Sequence, residues 1–148
     1  MRRTRISAWR SSASGRRSCS TRDQDRAALA YKHVEGYLEA NEERQKKYAT
    51  MIHKLPALLQ TAGLCQALHF VHSRGGEGQK EIVQQFADQL QRVNPAIKTG
   101  DQLLQRARSA DLAEYLQLTD EALSCAAWYR RIVQGVLKVE AGNSVGGD

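Results

Sequence analysis

Three side chains of the types that bind metals follow one another at helical spacing. Cys65, His69 and His72 lie four and three residues apart, and Glu77 follows shortly after. Thiolate and imidazole groups are zinc ligands, and residues at these spacings share one face of a helix. The alternative is that Cys65 is a small buried apolar residue and that both histidines are polar surface residues. Because no second ligand pair stands at a recognisable spacing, we predict no metal and no cofactor.

The sequence offers no recognisable catalytic set. It contains neither a nucleophile elbow nor an evident arrangement of serine, histidine and acid. The glycine-rich segment 73–78 lacks the lysine and following hydroxyl residue of a phosphate-binding loop, and no predicted strand precedes it. The carboxylates stand beside Lys and Arg, which is typical of solvated helix surface. We therefore expect no enzymatic activity.

Basic side chains outside the N-terminal segment carry a stronger functional signal. Three lysines cluster on the second predicted helix, one arginine lies in the glycine-rich loop, and two arginines lie on the last helix beside Trp128 and Tyr129. Lys and Arg bind phosphates without reading base sequence, and planar neighbours either stack on bases or pack in the core. For each cluster the alternative is an ordinary solvated helix face. The candidate RNA-binding residues are Lys46, Lys47, Lys54, Arg74, Arg130 and Arg131.

The spacing of apolar residues predicts an all-α protein. Between Lys46 and Phe70 apolar side chains recur in steps of three and four, the period of a helix with one buried face. Proline lacks the N–H that helix interiors require, so Pro56 is expected to end one helix near residues 53–55 and to begin another. Gly63 then falls inside the second helix, at a cost of about 1 kcal/mol relative to alanine.

Further helices are predicted on either side of this segment. The first runs over about 22–40, capped by Thr21 or Asp23, and Asn41 caps the next. After the glycine-rich loop, one helix ends at Asn94 and Pro95, and a short helix begins near residue 100. The last and longest spans about 112–137, with Leu112 and Leu116 in its inner stripe, and is expected to be the central post of the bundle. The architecture is a compact bundle of about six helices.

Charge and composition divide the chain unevenly. Of the 22 Lys and Arg residues, seven lie in the first 22 positions, which contain none of the 16 Asp and Glu residues. The remaining 15 basic and 16 acidic residues leave a nearly neutral body, although the whole chain carries a formal charge of +6. We expect a basic disordered tail over 1–22, one helical domain over 23–141 and a disordered end over 142–148. The tail is compatible with a transit peptide, a nucleic-acid-binding arm or an extension without a role.

Cysteine content and hydropathy bear on the compartment. The three cysteines are an odd number at unrelated spacings, which favours a reducing environment over a disulfide framework. No run of apolar residues is long enough to span a bilayer. We expect a cytoplasmic protein with no membrane contact.

Several segments resemble the small helical subunit of the Cmr complex, the type III-B CRISPR RNA-guided effector. The resemblance covers about residues 23–137, is most specific in the central block, and has no counterpart for the basic tail. Because that family is prokaryotic, it also weakens the transit-peptide interpretation. The resembling segments are 23–27 (DQDRA), 47–50 (KYAT), 54–59 (KLPALL), 61–64 (TAGL), 66–70 (QALHF), 115–116 (YL), 121–123 (EAL) and 128–131 (WYRR).

The resemblance implies a non-catalytic bundle whose copies stack as an inner filament beside the subunits that carry the guide RNA. Its partners would be the other Cmr subunits, further copies of itself and the duplex of guide and target RNA, which it would help to hold for antiviral defence. Lys47 and Lys54 fall within the matched block, whereas Arg130 and Arg131 match less specifically. The rival interpretation is a helical protein-interaction adaptor with no nucleic-acid role, marked by an exposed apolar patch on a helix.

Overall fold

A computed structural model describes residues 19–139 as six α-helices followed by one π-helical turn, and no strand occurs within this range. The predicted segments 1–22 and 142–148 fall almost entirely outside the described residues. The prediction of an all-α bundle of about six helices is confirmed. The elements are α1 (Arg22–Glu35), α2 (Glu42–Ala62), α3 (Leu64–Ser73), α4 (Glu77–Leu90), α5 (Gly100–Ser109), α6 (Leu112–Ile132) and the π turn (Val133–Leu137).

Short polar side chains fix where most of these helices begin. The Thr21 hydroxyl accepts a hydrogen bond from the Gln24 backbone N–H, and the Gln24 side chain accepts one from the Thr21 backbone N–H, which is a complete capping box. Thr99 caps α5 in the same reciprocal way. Asn41 and Asp111 cap α2 and α6 through their side-chain oxygens. The predicted caps at Thr21 and Asn41 are therefore the ones used.

Helix α1 is shorter than the sequence predicts. It ends at Glu35, and tight turns carry the chain from Gly36 to Ala40. The Gln45 side chain donates to the backbone carbonyls of Tyr37 and Ala40, at 2.8 and 3.1 Å, which satisfies acceptors that helix continuation would have used. Tyr37 thereby turns inward and stacks on the Tyr48 ring at 3.8 Å. The apolar residues after Gly36 had suggested a longer helix, but Tyr37 is buried whereas Leu38 is 49% exposed.

The expected helix break at Pro56 is wrong, and the break occurs at Gly63. Helix α2 continues through Pro56, whose ring is compatible with helical φ, and the buried neighbours Leu55 and Leu59 hold that turn against the core. Gly63 has φ 84° and ψ 165°, a conformation open almost only to glycine. It separates α2 from α3 and leaves the Cys65 N–H to donate to the Tyr115 hydroxyl at 3.2 Å. Tertiary packing has overridden the local cost of proline.

Helix α6 packs against α1, α2 and α4, as expected of a central post. Its inner face buries Leu118, Ala122, Ala126 and Tyr129 completely or almost completely. Together with the π turn it extends to Leu137. Within residues 19–139, no helix combines the length and apolarity needed to cross a bilayer.

A buried ion pair joins α1 to α6. Glu121, which is only 3% exposed, accepts two hydrogen bonds from the Arg26 guanidinium at 2.8 and 2.6 Å. These bonds hold the pKa of the Glu121 carboxyl below its ordinary value. Burial raises the pKa of the neighbouring Cys125 thiol to about 12, so the thiol stays protonated at neutral pH. Glu121 is thus an exception to the predicted placement of carboxylates on solvated surface.

A second polar chain crosses the same core. Gln89 donates to the Tyr129 hydroxyl at 3.4 Å, that hydroxyl lies 2.6 Å from His33 Nδ1, and His33 Nε2 lies 3.2 Å from Asp88. A neutral His33 protonated on Nε2 satisfies both of its neighbours, accepting from Tyr129 and donating to Asp88. Burial lowers the pKa of His33, against the opposing effect of Asp88. The two polar chains together tie α1, α4 and α6.

Candidate nucleic-acid interface

Four of the six predicted RNA-binding residues line one surface concavity. Lys46, Lys47 and Lys54 enter it from α2, and Arg74 enters from the end of α3. The concavity has a volume of about 300 Å³, and Gln79 of α4 closes its other side. Helical spacing explains the lysines, because residues seven apart share a face. Arg74 joins them only through tertiary packing of α3 beside α2. We call this set, Lys46, Lys47, Lys54 and Arg74, the basic concavity.

The floor of the basic concavity is apolar. Met51 is buried there, and half-buried Phe70 supplies an aromatic ring. The Arg74 guanidinium lies over that ring, 4.7 Å from its centroid. Such a cation–π contact restricts the long side chain and keeps its charge at the rim. The site therefore combines four cations with an apolar floor, part of which the Arg74 guanidinium already covers.

Acidic neighbours partly neutralise the lysines. Lys46 pairs with Glu42 at 3.0 Å and Lys47 with Glu43 at 2.8 Å, one helical turn away in each case. The Lys47 ammonium holds the pKa of Glu43 below its ordinary value. Both pairs are exposed, so they exchange readily with solvent ions and with other anions. Lys54 forms no ion pair within the described part of the chain and is the least compensated of the three.

Arg130 and Arg131 do not join the basic concavity. Both are exposed in the last turn of α6, and neither lines the concavity. Their planar neighbours serve the fold. Tyr129 is fully buried, and the Trp128 indole N–H donates to the Asp23 carboxylate at 2.8 Å, which links α6 to α1. Tyr129 is therefore not accessible to a base, whereas Trp128 is half-buried and held at its N–H edge.

Of the side chains that suggested a metal site, His69 has another neighbour. His69 Nε2 lies 3.1 Å from the Arg108 guanidinium of α5, and Cys65 is half-buried against the core. Among residues 19–139 no group of three or more His, Cys, Asp or Glu side chains is arranged to hold a metal ion.

Two surface features escaped the sequence analysis. Leu112 and Leu116, predicted to face the core, are 72% and 53% exposed and form an apolar patch one turn apart on α6. A second, arginine-lined cleft lies between α1 and α6 and includes Arg22, which the sequence had assigned to the tail. Helical periodicity could not reveal the exposed leucines, because it does not say how far a stripe remains covered at the end of a helix. The cleft combines residues from elements distant in sequence, which periodicity does not bring together.

Comparisons with known proteins agree with one another. The sequence model of the family described as CRISPR-associated protein (Cas_Cmr5) matches residues 22–136. The chain is 38% identical over 118 residues to "CRISPR system Cmr subunit Cmr5" of Thermus thermophilus, covering 80% of this chain and 97% of that protein. The crystal structure of a CRISPR-associated Cmr5 family protein, also from Thermus thermophilus, superposes with a TM-score of 0.69 at 37% identity. That superposition covers 80% of this chain and 98% of the other.

Proposed function

Because the chain belongs to the Cmr5 family of CRISPR-associated proteins, we propose that it is the small helical subunit of a Cmr effector complex. Its partners in this proposal are the other Cmr subunits. In this proposal the subunit has no catalytic role and acts in the cytoplasm. The matched residues 22–136 span all six helices, which supports a subunit that takes part in the complex as one whole bundle.

The finer part of the proposal is contact with RNA at the basic concavity. Its support is the convergence of four cations from α2 and α3 on one exposed surface that Glu43 alone offsets among the lining residues. A duplex of guide and target RNA presents a regular row of phosphates, which such a surface binds without reading sequence. Base pairing would supply the sequence recognition, as in other RNA-guided effectors. The protein would hold the duplex while other subunits cut it.

Copies of the subunit would stack as an inner filament beside the subunits that carry the guide. Stacking multiplies weak phosphate contacts along one RNA, so a single subunit needs little affinity of its own. The exposed pair Leu112 and Leu116 supplies an apolar surface of the type that protein neighbours cover. This pair also supports the second candidate, a protein-interaction adaptor that does not bind nucleic acid.

The RNA proposal is tested with Lys47→Ala/Lys54→Ala in a reconstituted complex. We expect unchanged helicity and melting, because both side chains are exposed, and about tenfold weaker retention of target RNA. The slope of log affinity against log salt should fall by about 1.5, since two phosphate contacts are lost. The matched control is Lys80→Ala/Lys98→Ala, which removes two exposed lysines that do not line the concavity.

Two outcomes would count against the proposal. Unchanged retention in the first variant removes these lysines from the interface. An equal loss in both variants shows that net charge alone matters. To separate the two candidate functions, tagged protein is purified from its native cytoplasm and analysed by mass spectrometry and RNA sequencing. Recovery of Cmr proteins with short guide RNAs supports the Cmr subunit, whereas recovery of unrelated proteins without small RNA supports the adaptor.

A further inference from the structure

The arginine-lined cleft lies between the start of α1, the segment just after α4 and the middle of α6. Its volume is about 380 Å³. It shares no lining residue with the basic concavity. Its lining consists mainly of polar and charged side chains: Arg22, Arg26, Arg92, Gln117, Asp120, Glu121 and Ser124, with Val93.

One of the three arginines is already committed to the fold. Arg26 gives Nε and one terminal nitrogen to Glu121, and its side chain is only 15% exposed. In this bidentate pair each oxygen of the buried carboxylate accepts one hydrogen bond from the guanidinium. Arg22 Nε lies farther from Glu121, at 3.6 Å, and the Arg22 side chain is 58% exposed. Arg92 is exposed and forms no ion pair within residues 19–139.

The cleft therefore holds more cationic capacity than its own carboxylates require. After Arg26 has neutralised Glu121, Arg22 and Arg92 face a single exposed carboxylate, Asp120. Two guanidinium groups on a polar cleft match the tetrahedral oxygens of phosphate, because each group presents paired N–H donors. The Ser124 hydroxyl and the Gln117 amide add neutral donors on the same wall.

We propose that this cleft is a phosphate-binding site in which Arg22 and Arg92 contact the anion. Arg26 and Glu121 position the cleft by fixing α1 on α6, and they do not contact the ligand. The phosphate comes either from an RNA backbone or from a free phosphate or mononucleotide. The site is separate from the basic concavity, so it stands whether or not the lysines of α2 contact RNA.

The test uses the full chain and the variant Arg22→Gln/Arg92→Gln, which leaves Arg26 and Glu121 intact. The Nε–Hε signals of Arg22 and Arg92 are followed by NMR during titration with inorganic phosphate, against sodium chloride at equal ionic strength. A second titration uses a twelve-nucleotide RNA without terminal phosphates. The control variant Lys98→Gln/Arg108→Gln removes two positive charges outside the cleft. Circular dichroism checks that every variant keeps its helicity.

We expect phosphate to shift both arginine signals in the wild type and in the control. Phosphate affinity, measured in parallel by calorimetry, should be at least about tenfold weaker in Arg22→Gln/Arg92→Gln, since charge-assisted hydrogen bonds are lost. Shifts with the RNA at lower concentration than with inorganic phosphate identify the backbone as the source. Shifts with inorganic phosphate alone identify the free anion. No shift with either probe, or equal affinity in the variant and the control, overturns the proposal.

Discussion

Removing the arginine of the buried Arg26–Glu121 pair should weaken the fold strongly. Arg26→Met keeps the length and apolar stem of the side chain but leaves the Glu121 carboxylate, whose side chain is 4% exposed, without its two short hydrogen bonds. An unpaired buried charge is costly because neither water nor a counterion compensates it. The variant therefore tests whether this pair, joining the first helix to the last, is required for stability.

The magnitude follows from the geometry. Breaking a buried pair by removing one partner costs about 3–5 kcal/mol. We expect the lower end, about 3 kcal/mol, because Arg22 already lies 3.6 Å from the same carboxylate and can approach it. For a domain of this size that loss lowers the melting temperature by about 10 °C. Glu121→Gln should lower the free energy of unfolding by less, since the Arg26 guanidinium lies at the edge of the cleft and can be solvated there.

The assay is equilibrium unfolding in urea, followed by circular dichroism at pH 7, on both single variants and on Arg26→Met/Glu121→Leu. The double variant should be more stable than the sum of the single effects predicts, because it leaves no buried charge unpaired. A loss below about 1 kcal/mol in Arg26→Met, or strict additivity in the double variant, would refute the argument that this carboxylate needs its partner.

Other expected outcomes concern separate residues. His33→Gln should flatten the decline of stability on acidification. Burial lowers the pKa of His33, so the stability that the neutral imidazole contributes is present above its ordinary pKa near 6.5 and is lost as the pH falls through its lower pKa in the folded protein. Urea unfolding at pH 7 and at pH 5 measures this difference. Glu43→Gln should strengthen target-RNA retention in the complex severalfold, because it frees Lys47 from its ion pair. Unchanged retention would show that this ion pair does not compete with RNA. Gly63→Ala should lower the free energy of unfolding by about 2 kcal/mol, because alanine is strained at φ 84°. An unaltered midpoint in thermal or urea unfolding would contradict the need for glycine there.

Local chemistry predicts the helices well and their junctions less well. Caps at Thr21 and Asn41 follow from side-chain oxygens that act within three residues, so the sequence alone reveals them. The helix break at Pro56 was predicted wrongly because a proline inside a helix costs about 3 kcal/mol, and burial of neighbours such as Leu55 and Leu59 can stabilise the helix by more than that. Gly63 was noticed but was placed inside a helix, since its φ depends on how α3 returns across the bundle.

The candidate sites show the same limit. Three lysines of the basic concavity follow from one helix face, whereas the position of Arg74 beside them depends on the packing of α3. The arginine-lined cleft combines residues from α1, from the turn after α4 and from α6. A spacing of four between Arg22 and Arg26 was its one sequence signal, and the boundary drawn between tail and domain obscured it. Contacts between distant elements need the fold before they can be seen.

The pairing of α1 with α6 has a consequence for synthesis on the ribosome. Arg26 and Glu121 are 95 residues apart, and His33 and Tyr129 are 96 residues apart. During translation the first helix emerges with its charged and polar partners still unmade, and α2 also lacks the surface of α6 against which it packs. Closure of the bundle must therefore wait until the last helix leaves the exit tunnel. Until then the apolar faces of α1 and α2 that α6 covers in the folded bundle remain uncovered.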